Sequence, residues 1–209
     1  MNATVVTVVV WAGALGNIFA SIPYVRATWR GQAAPQRVTW TIWGLATVTV
    51  LLAQLGAGSP PQAWALTAVL AVLPIAVVLA SLSNPDLGWA WTPTNIVCGV
   101  LGGVGLVVWM ALSSDPLWAV VLGSVVGTVA AVPTAVNAWQ NPGQERHLPY
   151  ITLAISAAAT LAVIATPWPW GDAVYLGNLV VMNLAISGLL FAAQRRERRR
   201  QVSRVTTSS

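Results

Sequence analysis

The residues that carry chemistry in this chain fall into two groups, and the group in apolar surroundings is neutral. Asn17, Gln54, Asn137, Asn178 and Asn183, with a scatter of Ser and Thr, lie inside or at the edge of long uncharged runs. A carboxamide taken out of water there loses hydrogen bonds worth several kcal/mol unless a neighbouring helix or an aqueous cavity replaces them. Titratable groups lie elsewhere: Asp86, Asp115, Glu145, Asp172, Glu197 and the single histidine, His147, are expected in loops or in the C-terminal tail. Amides in apolar surroundings hold a neutral solute by hydrogen bonding; they do not cleave one. No Ser, His and acid arrangement, metal-ligand cluster or phosphate-cradling glycine loop occurs in a suitable context, so no enzyme activity, metal or cofactor is expected. Cys98 stands alone, which excludes an intrachain disulfide framework. With no lysine in the chain, a retinal Schiff base is excluded too.

The elements that position these groups must be membrane helices. The chain is 56% hydrophobic and 7% charged, against about 25% charged in an ordinary soluble domain. Seven apolar runs approach the length needed to cross a hydrocarbon core: Val5 to Val25, Val38 to Ala57, Ala63 to Leu82, Asn95 to Leu112, Leu117 to Asn137, Leu148 to Thr166 and Ala173 to Ala193. They lack the alternation of barrel strands, and in lipid a helix satisfies its own backbone. Short Pro-, Gly- and Asn-rich connections separate them, so consecutive helices are expected to lie antiparallel and close together. Within the fourth run, Gly99 to Gly105 supplies small residues for close helix packing.

All ten basic residues are arginines, and a seven-span layout puts them on one side. Arg26, Arg30 and Arg37 flank the first connection, Arg146 lies between the fifth and sixth runs, and six more follow the seventh. The positive-inside rule then places the N-terminus outside and the C-terminus in the cytoplasm. The basic tail is expected on anionic lipid rather than on nucleic acid. Most tryptophans sit near run ends as interface anchors, whereas Trp40, Trp43 and Trp109 lie further inside.

Three landmarks repeat at an offset of 110 residues: Pro23 and Pro133, Trp29 and Trp139, Trp40 and Tyr150. Gly13 and Gly123 share the same register. The offset maps runs one to three onto five to seven and leaves the fourth as a linker, which restores the orientation of the second triplet. The expected fold is all-α and integral to the membrane, with seven transmembrane helices as two parallel three-helix repeats. Residues 1–84 form the first repeat, 85–116 the linker helix, 117–194 the second repeat and 195–209 a basic cytoplasmic tail.

This layout, with its framework Pro-x5-aromatic-x-Gly/Asn, resembles the PQ-loop superfamily and in particular SWEET-type sugar transporters. Gly177-Asn178 resembles that family's Pro-Asn pair, whose asparagine helps line the substrate cavity; the equivalent position in the first repeat is Ala68. The resemblance implies a multi-pass carrier in the cell membrane, with sugar as solute.

Asn178 is therefore the first candidate contact for a small neutral solute, followed by Asn183, Asn17, Gln54 and Trp43. Asn178 and Asn183 are five residues apart, roughly 140° around a helix, and are not expected on one cavity wall. Pro23, Pro133 and Pro74 remove backbone hydrogen bonds inside runs and are candidate hinges or gate elements. With no titratable group expected in a span, the carrier is read as a uniporter. Glu145 is expected to pair with arginines at the cytoplasmic mouth, and Asn137 to be within reach of water. A membrane receptor, cargo-binding or scaffold protein on the same fold is the alternative. A polar cavity reaching Asn178 favours the carrier, and a dry bundle with an exposed apolar groove favours the alternative. A homo-oligomer stays open.

Overall fold

The computed structural model describes residues 2–56, 61–84, 91–112, 116–163 and 171–207. Among the described residues all regular structure is helical. The seven helices are α1 (Ala3–Trp29), α2 (Arg37–Gly56), α3 (Pro61–Leu82), α4 (Pro93–Leu112), α5 (Pro116–Gln140), α6 (Leu148–Val163) and α7 (Gly171–Thr207). Five of them, α1, α3, α4, α5 and α7, are long and apolar enough to cross a membrane; the apolar parts of α2 and α6 are shorter. Large hydrophobic side chains cover the outside, with Phe19 and Val181 each 69% exposed. In water such a surface would be costly at about 25 cal/mol per Å², and in lipid it is the matching face. The chain is a membrane-embedded helical protein.

Local chemistry explains where the helices begin. Pro61, Pro93 and Pro116 open α3, α4 and α5, where the missing N–H would have no helical partner anyway. Asn2 caps α1 by accepting from the Thr4 N–H at 3.0 Å, and Thr92 caps α4 by accepting from the Asn95 N–H at 3.2 Å. After α1 the chain turns at Gly31, whose φ of 69° suits glycine best. The end of α7 differs from expectation. It continues as helix through Thr207 instead of stopping near Ala193, because Gln194 to Gln201 holds good helix formers and no Gly or Pro.

Neighbours in sequence are not always neighbours in space. Among the described residues α3 packs against both α1 and α2, whose backbones stay apart and meet only through side chains such as Tyr24 and Trp40; α7 likewise packs against both α5 and α6, whose backbones do not adjoin. The expectation that consecutive helices adjoin is therefore corrected for these two pairs and for α3 and α4. The connection of residues 30–36 has a reach of about 20 Å when extended, enough to pass the end of an intervening helix. Arg37 then clamps the start of α2 to the end of α3 by donating to Ser81 Oγ at 3.0 Å and to the Asn84 carbonyl at 3.3 Å.

Two further contacts join the triplets: α1 lies on α6, and α2 lies on α5. The first is close because Gly13 faces Ser156, with room for a Cβ only 3.4 Å from the serine Cβ. Helix α4 packs on α5 and α2 through its glycines, as the sequence leads one to expect. A Cβ on Gly102 would come within 2.6 Å of Ile42, and one on Gly105 within 2.6 Å of Val126.

Trp29, Trp91 and Trp139 are exposed at or beside helix ends, in keeping with interface anchors. Trp89, Trp168 and Trp170 lie outside the described residues.

Gly105→Val is expected to push α4 from α5 and to lower stability by about 1 to 3 kcal/mol, read as a lower Tm in detergent. Gly103→Ala, with nothing within 4 Å of the added Cβ, should leave Tm nearly unchanged.

Candidate functional site

A cavity lies between the helices, with about 70 Å³ open to the centres of water molecules, room for roughly five waters. All helices except α1 contribute to its wall. Aromatic rings dominate: Trp40 and Trp43 from α2, Trp109 from α4, Tyr150 from α6 and Tyr175 from α7. Trp40 is the hub, with ring centroids 5.5 Å from Tyr24, 5.4 Å from Trp43 and 6.4 Å from Tyr150. Such contacts fix rings in place and give the wall a defined shape.

Three of the candidate contacts line this cavity: Asn178, Asn183 and Trp43. Asn178 is held from α5, accepting from Thr128 Oγ1 at 3.0 Å and donating to the Ser124 carbonyl at 3.3 Å. One amide N–H and one lone pair of Asn178 are left over from these bonds. Asn183 donates to the Leu179 carbonyl at 2.8 Å, and its Oδ1 has no protein partner. That both asparagines line one cavity corrects the expectation that they could not. The physical reason is the position of α7 between α5 and α6, which turns a wide arc of the helix inward. Trp43 donates from Nε1 to the Gly127 carbonyl at 3.0 Å and so ties α2 to α5.

Asn17 is placed elsewhere. It is fully buried between α1 and α6, where Nδ2 donates to Ser156 Oγ at 3.2 Å and Ser156 Oγ donates to the Gly13 carbonyl at 3.1 Å. It ties two helices together and does not line the cavity. Gln54 belongs to α2, but its side chain lies outside the described residues.

Pro23, Pro74 and Pro133 all fall inside helices. Pro74 lines the cavity, and lacking an N–H it leaves the Leu70 carbonyl without its helical donor. Thr47 Oγ1 stands 2.8 Å from that oxygen and 2.7 Å from the Trp43 carbonyl. One hydroxyl proton serves only one of them at a time.

The residue that sequence reasoning missed is Glu145. It is 1% exposed and accepts three hydrogen bonds, each 3.0 Å: from Tyr24 and Tyr150 to Oε2, and from Asn137 Nδ2 to Oε1. Among the described residues no arginine pairs with it, and Asn137 is itself buried, so both expectations are corrected. Burial pushes the Glu145 carboxyl up from 4.5 to about 7, against the opposing pull of its three hydrogen bonds. Around it the two connections meet. Ala34 N–H donates to the Gln144 carbonyl at 3.1 Å, and Asn137 Nδ2 reaches the Ala34 carbonyl at 3.4 Å. On the same end of the bundle, Gln194 Nε2 donates to the Pro142 carbonyl at 3.2 Å, and Arg196 donates to the Trp139 carbonyl at 3.1 Å. Arg26, Arg37, Arg146 and Arg196 therefore gather at one end, with a closed seam beneath them. The only sequence signal for Glu145 is its register with Pro35.

The chain matches no protein-family model, no curated protein and no solved structure.

Asn137→Leu removes one donor from a buried carboxylate and should cost about 1 to 3 kcal/mol. The check is a lower Tm at pH 8, with a smaller loss at pH 5.5, where the carboxyl is protonated.

Proposed function

We propose that the chain is a facilitative transporter of a small neutral solute, a sugar first and an amino acid or related metabolite next. It works by alternating access between two like-oriented triplets, α1 to α3 and α5 to α7, joined by α4. This keeps the resemblance to the PQ-loop superfamily and its SWEET-type members. The N-terminus faces outward and the arginine-bearing end faces the cytoplasm, in the cell membrane.

The observation that carries the reading is the cavity itself, to which Asn178 brings one amide N–H and one lone pair beyond its bonds to Thr128 and Ser124. A donor and an acceptor on one amide fit a ligand that has both. Hydroxyl groups do, and the apolar faces of a sugar ring suit the surrounding indoles. A hexose is larger than the present void, so the cavity must widen as one end opens. The cavity wall is mostly apolar apart from Asn178, Asn183 and Thr47, and a receptor, cargo-binding or scaffold protein on the same fold stays the alternative.

Contacts at the 110-residue offset support the repeat. Arg37 bonds to the carbonyl of Asn84, and His147 Nε2 meets Gln194 Oε1 at 3.0 Å, each residue being 110 from its counterpart. Asn17 bonds across from α1 to α6, and the Gly127 carbonyl, at the matching position, bonds across from α5 to α2. The two shorter apolar helices, α2 and α6, also correspond.

Uptake of a labelled sugar and amino-acid panel into proteoliposomes tests the proposal. Saturable, gradient-driven flux of one solute is expected, reduced at least tenfold in Asn178→Ala and largely retained in Asn17→Ala after correction for folded protein. Absence of flux for every solute removes the carrier reading, and undiminished flux in Asn178→Ala removes the site.

A further inference from the structure

Glu145 is an unusual strut. Taking an ionised carboxylate out of water costs several kcal/mol, and a neutral side chain of similar shape would join the same helices more cheaply. Its three donors come from both sides of the seam: Tyr24 from α1, with Tyr150 and Asn137 from α6 and α5. Beside it run the backbone bond from Ala34 to Gln144 and the contact of Asn137 with Ala34. Parting the arginine-bearing end must separate Tyr24 and Ala34 from Glu145 and Gln144. The carboxyl then meets water.

We propose that Glu145 is a proton-binding site, and that closure of the arginine-bearing end is tied to its taking up one proton. The inference rests on the carrier reading in one respect, that this end opens. A uniporter so equipped still moves its solute down its gradient, but the pH at that face sets how often the gate parts.

The direction follows from linkage. When closed, the carboxyl titrates at about 7; once hydrated it returns toward its ordinary 4.5. The closed form therefore binds the proton more tightly. Closure is favoured most below pH 4.5, the advantage falls as pH rises through about 7, and it is gone above that. Across the window the ratio of open to closed forms should rise by roughly a hundredfold.

Other groups near the site need separate control. Tyr24 and Tyr150 face the carboxylate directly, while Arg146 and His147 on its own connection and Glu197 and Arg198 on α7 line an adjoining shallow groove.

The test uses the full chain in lipid nanodiscs with Cys98→Ser and spin labels at Gln32→Cys and Gly143→Cys, both exposed on the two connections. A short distance should dominate at pH 4.5, with a longer component growing between pH 5 and 7 and levelling off above that. Glu145→Gln mimics the protonated group and should hold the short distance at every pH. Tyr150→Phe removes a donor from the ionised form and should move the transition about one pH unit higher. This arm serves if Glu145→Gln does not fold. Distances that ignore pH, a pH response that survives Glu145→Gln, or an unmoved transition in Tyr150→Phe would each overturn the proposal. Because the readout needs no solute, a pH response without flux would leave the proton site standing and remove only the carrier.

Discussion

A carboxylate that water cannot reach must be solvated by the protein, and at Glu145 that requirement fixes where three helices end. Tyr24, Asn137 and Tyr150 all aim donors at it, so the last turns of α1 and α5 and the first turn of α6 cannot drift independently. Hydrogen bonds to a charged group contribute about 1.5 to 3 kcal/mol each, while the cost of desolvating the charge is several kcal/mol. The two are of similar size. The raised proton affinity says that desolvation has the upper hand, which is why this joint is poised rather than rigid.

Away from that joint, small side chains and proline set the architecture. Lipid gives helices no hydrophobic reason to associate, so close backbone approach must supply the contact. Gly13 against Ser156 and Gly102 and Gly105 against Ile42 and Val126 are such approaches. Pro74 adds a weak place in α3, where the Leu70 carbonyl depends on Thr47 of α2 for its bond. The same hydroxyl is within reach of the Trp43 carbonyl. A switch between the two acceptors would alter the wall beside Trp43 without breaking any helix.

The helices were legible in the sequence because lipid allows few alternatives: charge-free runs of the right length have no other stable form. Asn178 and Trp43 line the cavity. What could not be read was anything decided by two distant segments meeting. Gly143-Gln-Glu-Arg-His reads as a polar turn, and only the approach of Tyr24 from over a hundred residues away turns Glu145 into a buried group. The order in which α3 slips between α1 and α2 is likewise a tertiary choice that short connections permit but do not dictate. Asn183 was misjudged by treating α7 as having one inward face when its neighbours on both flanks give it a wider one.

On the proposed carrier reading, the absence of charge among the described residues of the cavity wall narrows the solute further than its size does. An ion entering this space would lose its hydration and find amides, indoles and a threonine hydroxyl, but no opposite charge; the Born cost exceeds what such dipoles return. Glu145 does not supply that charge, because it lies in the seam beyond Tyr150 and its oxygens are already occupied by three donors. An amino acid could enter only with its ammonium and carboxylate compensating each other. A polyol needs no such arrangement: each hydroxyl both donates and accepts, so it can meet the remaining N–H and lone pair of Asn178 while its apolar face rests on an indole. Within the proposed carrier reading, an uncharged wall thus suits a sugar better than an amino acid.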